Sequence, residues 1–227
     1  MNSDAIYLVT TWAIPVIVAI TFHEAAHGFV AHLLGDDTAW RLGRVSFNPV
    51  KHIDPFGTIL LPGMLLLLHA PFLFGYAKPV PVNFPALRSP RRDMVLVAAA
   101  GPAMNIALAV VAALAFHIVD YLPGTSAEWL ADNLKNAIIL NVVLAVFNLF
   151  PLPPLDGGRI LIGILPRAAA APLARLEPYG IAILIGLLFL LPFLGAQLGL
   201  NLSVVSRALG VATGAVIEVI LRLTGHL

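Results

Sequence analysis

Charged residues are missing from five long stretches of this chain: Ala5 to His23, Pro55 to Ala77, Met94 to Val119, Asn136 to Leu155 and Pro178 to Ser206. A helix that crosses the hydrocarbon core of a bilayer needs roughly 20 largely apolar residues. The pattern predicts apolar segments A (about 5–34), B (56–76), C (94–119), D (136–155), E (179–195) and F (203–223). The expected fold class is an all-α polytopic membrane protein with five or six transmembrane segments. A re-entrant or short β element is expected between segments A and C.

The charges between the segments orient them. The A–B loop carries Arg41, Arg44 and Lys51, and the B–C loop carries Lys78, Arg88, Arg91 and Arg92. Both are basic, so the positive-inside rule puts both in the cytoplasm. Segment B then enters and returns on one side, turned by Pro62-Gly63 and Pro71, because irregular backbone at depth is tolerated where protein covers it. A true span for B is the alternative. The acidic C–D loop (Asp120, Glu128, Asp132) fits outside, and the D–E loop, with Arg159, Arg167 and Arg175, fits inside. This arrangement puts the N-terminus outside and the C-terminus inside, with A, C, D, E and F crossing.

Composition agrees with that reading. The chain is 59% hydrophobic and 11% charged, against about 25% charged for an ordinary soluble domain. Its net charge of +1 offers no basic stripe for nucleic acid. It has no cysteine, so zinc ligands are limited to His, Asp and Glu. No repeat or long linker divides it. A single membrane-embedded domain over residues 1–227 is expected, with a core at about 5–165 and additional C-terminal helices at about 179–223.

The inner part of segment A holds the first candidate chemistry, "TFHEAAHGFV". His23 and His27 are four apart and project from one helix face about a turn apart. Two imidazoles at this spacing can bind one zinc, and Glu24 between them can reach a metal-bound water. An ionisable residue inside a spanning segment is costly and by default functional. A polar helix end facing lipid headgroups is the blander explanation.

A catalytic zinc usually has three protein ligands. Asp156, in "NLFPLPPLDGGRI", is the candidate for the third. Segments A and D both run inward, and His23 and Asp156 lie at depths of ~27 and ~30 Å along them at 1.5 Å per residue. The prolines at 151, 153 and 154 loosen the second figure, since they cannot continue a regular helix. A surface turn is the alternative for Asp156-Gly157-Gly158 taken alone.

These motifs together resemble the site-2 protease family of intramembrane zinc metalloproteases, which pairs HExxH on one helix with NxxPxPxLDG on a later one. Asn148, Pro151, Pro153, Leu155, Asp156 and Gly157 match the second motif. "GPAMN" (101–105) is similar to the family's intervening motif, and "FNPVKHIDPFGT" (47–58) to a stretch of its compact prokaryotic branch without PDZ or CBS domains. The resemblance implies that His23, His27 and Asp156 hold one zinc per chain, that Glu24 is the catalytic acid/base and that Asn148 assists. It implies a membrane-anchored protein substrate with a transmembrane helix, cut by zinc-activated water in or near that helix. It also implies a multi-pass protein of the prokaryotic cytoplasmic membrane, with its site towards the cytoplasm. A zinc transporter and a non-proteolytic scaffold are the competing readings. The outer halves of A, C and D lack the polar path that transport needs.

Other residues receive quieter expectations. Asn148 has an interhelical hydrogen bond as its alternative to an oxyanion role, and Gly101 and Pro102 are expected to serve helix packing. "GYAKPVPVN" (75–83) suits an edge strand that pairs with an unwound substrate, or else a surface loop. His32 is expected at the interface, His52 and Asp54 in structural contacts, and His69 and His117 in packing. Gly210 and Gly214 form a GxxxG pattern, which raises close helix contact and a homodimer as expectations.

Overall fold

The computed structural model describes residues 3–67 and 77–227. Among these residues the elements are helices and turns, with no strand. Five helices are long and apolar enough to cross a membrane. The chain is an all-α polytopic membrane protein. Three of the five form the bundle that positions the site: α1 (Ser3–Leu33), α2 (Pro90–Phe116) and α3 (Gly124–Asn148). A short helix, α4 (Asp156–Ile164), packs back along α2. The helical run α5 (Arg167–Gln197) and helix α6 (Val204–Leu223) follow.

Lipid is as apolar as leucine, so burying leucines does little to hold helices together in a bilayer, and close packing of small residues takes over. The interior is accordingly rich in alanine: Ala19, Ala98, Ala109, Ala113 and Ala145 are all nearly inaccessible. The large side chains Leu8, Val9, Val111, Leu114 and Val211 are exposed instead and face where acyl chains would lie. Polar contacts tie the start of α1 to the first turns of α3. Tyr7 donates to Asp132 at 2.8 Å, Trp129 to Thr10 at 3.1 Å and Asn136 to the Thr11 carbonyl at 3.0 Å. Such bonds contribute about 0.6 kcal/mol each on average within membranes.

The opposite end of α1 is anchored by polar turns. Asp36 is fully buried, accepting from Thr38 and, at 2.6 Å, from the backbone N–H of Asn83. His32 stacks on Trp40 and bonds Asp37 at 2.7 Å. That hydrogen bond, helped by Arg41, holds the Asp37 carboxyl below its ordinary range. His52 is buried with its Nε2 against the Ser46 carbonyl, and Asp54 caps the Pro55–Leu60 turn through Phe56 and Gly57. Both are structural contacts, as expected.

Segment B is helical over Pro55–Leu60 and Leu61–Leu67. Its remainder, including Pro71 and His69, lies outside the described residues, as do positions 75 and 76 of the expected edge strand. Residues 77–83 belong to no helix or strand. Pro79 and Pro81 lack an N–H, so a regular ladder cannot form through them. Three of the N–H groups go to loop and side-chain acceptors: Lys78 N–H to the His52 carbonyl, Val80 N–H to Glu24 and Asn83 N–H to Asp36.

One expectation is corrected by the packing of α6. His226 Nε2 lies 2.8 Å from the Ala113 carbonyl and His117 Nε2 lies 2.7 Å from the Thr224 carbonyl, with the two rings stacked. The last turn of α6 therefore sits beside the end of α2 and the start of α3, the same end to which Tyr7 and Thr10 bring the start of α1. Both chain ends share one end of the bundle. Five alternating full crossings would have separated them, so the expected outside N-terminus with inside C-terminus does not hold. The charge rule orients segments by their loops and carries no information about which helix the last one packs against. A Cβ added at Gly210 or Gly214 would meet nothing within 4 Å, so among the described residues their pattern serves no close intrachain contact.

The absence of cysteine makes every introduced thiol a unique label. Tyr121→Cys and Leu227→Cys should react with a membrane-impermeant maleimide from one side of the membrane, and Arg92→Cys from the other. Labelling of positions 121 and 227 from opposite sides would refute this placement of α6.

Candidate metal centre

His23 and His27 sit one turn apart on α1, ten and six residues from its end at Leu33. At 1.5 Å per residue His23 lies about 15 Å in from that end. Pro151 to Leu155 lead the chain from α3 into α4, and Asp156 opens α4. Gly157 follows because an added Cβ would run into the Leu149 and Phe150 backbone. This tight turn delivers the Asp156 carboxylate to α1.

The three side chains meet. His23 Nε2 and His27 Nε2 are 3.0 Å apart, and each is 3.3 Å from Asp156 Oδ2. His23 and Asp156 are buried and His27 is nearly so. A tetrahedral zinc with bonds of about 2.05 Å separates its ligand atoms by about 3.3 Å. The observed triangle matches that edge on two sides and is slightly short on the third.

Hydrogen bonding shows which ring nitrogens face this point. His27 Nδ1 lies 2.7 Å from the Val97 carbonyl, which can only accept, so Nδ1 carries the hydrogen. His23 Nδ1 lies 2.6 Å from Asn105 Oδ1, also an acceptor. In neutral histidines both Nε2 atoms are then bare lone pairs, aimed at each other and at a carboxylate. Asp156 Oδ2 is buried and without a hydrogen-bond partner. Three converging lone pairs repel, and an uncompensated buried carboxylate costs several kcal/mol. A cation at the centroid relieves both. The donor set fits zinc on geometry and on chemistry.

Gly101 of α2 roofs the site. A Cβ there would come within 2.6 Å of His23 Nε2 and closer still to His27 Nε2. Its role is to leave room for the ligand atoms, which goes beyond the helix packing expected of it from the sequence. GPAMN offers the signal, because a glycine four residues before a buried asparagine puts both on one helix face.

Glu24 is half-buried, and its Oε2 accepts the Val80 N–H at 2.7 Å. Asn148 closes α3, and its amide donates to the Leu144 carbonyl of its own helix at 3.0 Å. It is thus engaged within α3 rather than with the imidazoles. Sequence reasoning also misses Asn141, Val97 and Asp36, whose partners lie on other helices or loops.

Comparisons with known proteins give the family of the chain. Residues 115–193 match the model of peptidase family M50. The chain is 42% identical over 193 residues, 82% of its length and 81% of the relative's, to the "Putative zinc metalloprotease YwhC" of Bacillus subtilis. It is 28% identical over 172 residues, 76% of its length and 64% of the relative's, to the "Putative zinc metalloprotease Rip2" of Mycolicibacterium smegmatis. The Rip2 of Mycobacterium tuberculosis is 30% identical over 178 residues, 78% of this chain and 66% of its own. No solved structure matches the chain. The chain belongs to peptidase family M50, the site-2 protease family, and is a membrane-embedded metalloprotease.

Gly101→Ala tests the roof. The added methyl should cut zinc content per purified chain about tenfold or more, within the 10–100-fold range seen when a metal site's supporting shell is disturbed. The zinc-free protein should keep its helical circular dichroism. Full zinc content in this variant would mean that the metal sits elsewhere.

Proposed function

We propose that this chain is an intramembrane zinc endopeptidase that hydrolyses a peptide bond in or near the transmembrane segment of a membrane-anchored protein. The observation that carries this reading is the convergence of two imidazole lone pairs and an unpartnered carboxylate oxygen beside Glu24, about 15 Å inside a bilayer-length helix. His23, His27 and Asp156 hold one zinc per chain. Zinc bound there supplies Lewis-acid polarisation of a carbonyl and lowers the pKa of water towards about 7.

The remaining work belongs to the protein. Glu24 takes a proton from the attacking water and returns it to the departing amine, the two halves of general acid–base catalysis. Asn148 assists by donating to the developing oxyanion. Its bond to Leu144 uses one of its two amide hydrogens. The bilayer excludes bulk water around these groups.

Residues 77–83 supply the substrate contact. Lys78 and Val80 each precede a proline, which biases both towards extended backbone. In an extended chain residues two apart present their N–H and C=O to the same side. Of these donors Val80 N–H meets the site, at Glu24, while Lys78 N–H meets the carbonyl of His52 in the preceding loop. The other side has no donor at Pro79 or Pro81. An unwound substrate therefore pairs along the inner edge, between this strap and Glu24. Val80 N–H passes from Glu24 to a substrate carbonyl, and the same event releases the carboxylate for catalysis.

The basic residues Arg41, Arg44, Lys51, Arg88, Arg91 and Arg92 flank the end of α1 and the start of α2. By the positive-inside rule that end is cytoplasmic, in a prokaryotic cytoplasmic membrane. Residues 1–227 act as one metalloprotease domain, with the core at about 5–165 and the C-terminal helices at about 179–223 beside it.

Glu24→Gln should bind zinc as the wild type does and lose at least about a hundredfold in cleavage of a transmembrane substrate. Retained turnover would remove Glu24 from the mechanism. Val80→Pro removes the strap donor, and should cut cleavage about tenfold while leaving zinc content unchanged, as the loss of about one hydrogen bond's worth of binding predicts. Unchanged cleavage in Val80→Pro would dispose of strand pairing at this edge and leave the zinc chemistry standing.

A further inference from the structure

The geometry points to Asn141 as a positioning residue for the metal centre, acting through Asn105 to fix which nitrogen of His23 carries its hydrogen. Asn141 is 2% exposed on α3, and Asn105 is 0% exposed on α2. Asn141 Nδ2 donates to the Ala137 carbonyl at 2.8 Å, which turns its Oδ1 towards α2. There Asn105 Nδ2 donates to it at 2.8 Å and also to the Ala19 carbonyl of α1 at 3.2 Å. Both hydrogens of Asn105 are thereby used. Its Oδ1 is left facing His23 Nδ1 at 2.6 Å, where only an N–H completes the bond.

The relay has one self-consistent sense. Turning the Asn105 amide over would set its oxygen against the Ala19 carbonyl and Asn141 Oδ1 together, two acceptor–acceptor contacts. Both asparagines are buried away from solvent that could relieve them. Asn141 is one of the two acceptors that forbid the flip. Fixing the hydrogen on Nδ1 leaves Nε2 of His23 bare, towards His27 and Asp156. Ring nitrogens that hold a metal are commonly oriented by such a partner on the other nitrogen.

His27 provides an internal control. Its Nδ1 is held by the Val97 backbone carbonyl, which no side-chain substitution removes. A change at Asn141 should therefore reach one histidine of the pair and spare the other. Loosened helix packing, the role an interhelical asparagine has otherwise, would disturb both.

The test of metal affinity rests on the function proposed above; the test of His23 in the zinc-free protein does not. The variants are Asn141→Leu, which deletes the acceptor, and Asn141→Asp, which is isosteric and, with its buried carboxyl protonated, donates to the Ala137 carbonyl in place of Nδ2 while keeping an oxygen towards Asn105. Zinc affinity is measured by chelator competition, and 15N spectra of histidine-labelled, zinc-free protein report where each ring hydrogen lies. Asn141→Leu should weaken zinc about 10–100-fold and turn His23 into a mixture of tautomers, while His27 keeps its hydrogen on Nδ1. Asn141→Asp should restore the single His23 form and most of the affinity. Wild-type affinity and an unchanged His23 in Asn141→Leu would overturn the inference. So would an equal mixture of tautomers at His27, or failure of Asn141→Asp to rescue. If wild type bound no zinc at His23, His27 and Asp156, the proposed function would fall. The His23 spectra would still decide the relay.

Discussion

Two bare imidazole nitrogens and one carboxylate oxygen are held within 3.0–3.3 Å of one another, with little of them exposed. That repulsive cluster is the constraint around which the bundle is organised. A cation at its centre would relieve it, provided each ligand is kept from turning away. The fold supplies the restraints from separate helices: Val97 for His27, Asn105 with Asn141 behind it for His23, and the proline-rich turn for Asp156. Gly101 keeps α2 close enough for these bonds without filling the space the metal needs. On this account the polar residues in the membrane interior form one connected assembly rather than scattered exceptions to an apolar core.

A second assembly closes the site from the loop side. Asp36 pins Asn83, Arg44 donates to the Lys78 and Pro79 carbonyls, and the Lys78 N–H meets the His52 carbonyl. The strap between these anchors is poor in donors because of its prolines, and it sends Val80 N–H to Glu24. The residue proposed as the proton carrier is thus occupied until something displaces that bond. An extended peptide strand has the chemistry to do so. A folded helix, with its carbonyls already bonded, does not.

Part of this is legible in the sequence and part is not, for physical reasons. HExxH reads locally because helical periodicity alone puts His23 and His27 together, and counting residues along two inward-running segments brings Asp156 to the same depth. The histidines at 32, 52 and 117 read as structural, and each meets a local or packing partner. The bonds of Asn105 and Asn141 are not legible, because a cross-helix contact depends on rotation about helix axes, which apolar periodicity in a lipid-facing bundle leaves undefined. The edge strand is half legible: the prolines announce an irregular edge, but not that its donors turn inward. The direction of the last helix is not legible, since loop charge says nothing of the His117–His226 stacking that seats its end.

Zinc K-edge X-ray absorption on the purified, zinc-loaded chain reads the metal's ligands. One zinc is expected, with two imidazole nitrogens at about 2.0–2.1 Å and the rest of its shell oxygen at about 2.0–2.2 Å. A shell with no imidazole, or with a single one, would contradict it, because the cross-helix pairing of His23, His27 and Asp156 would then not be what holds the metal.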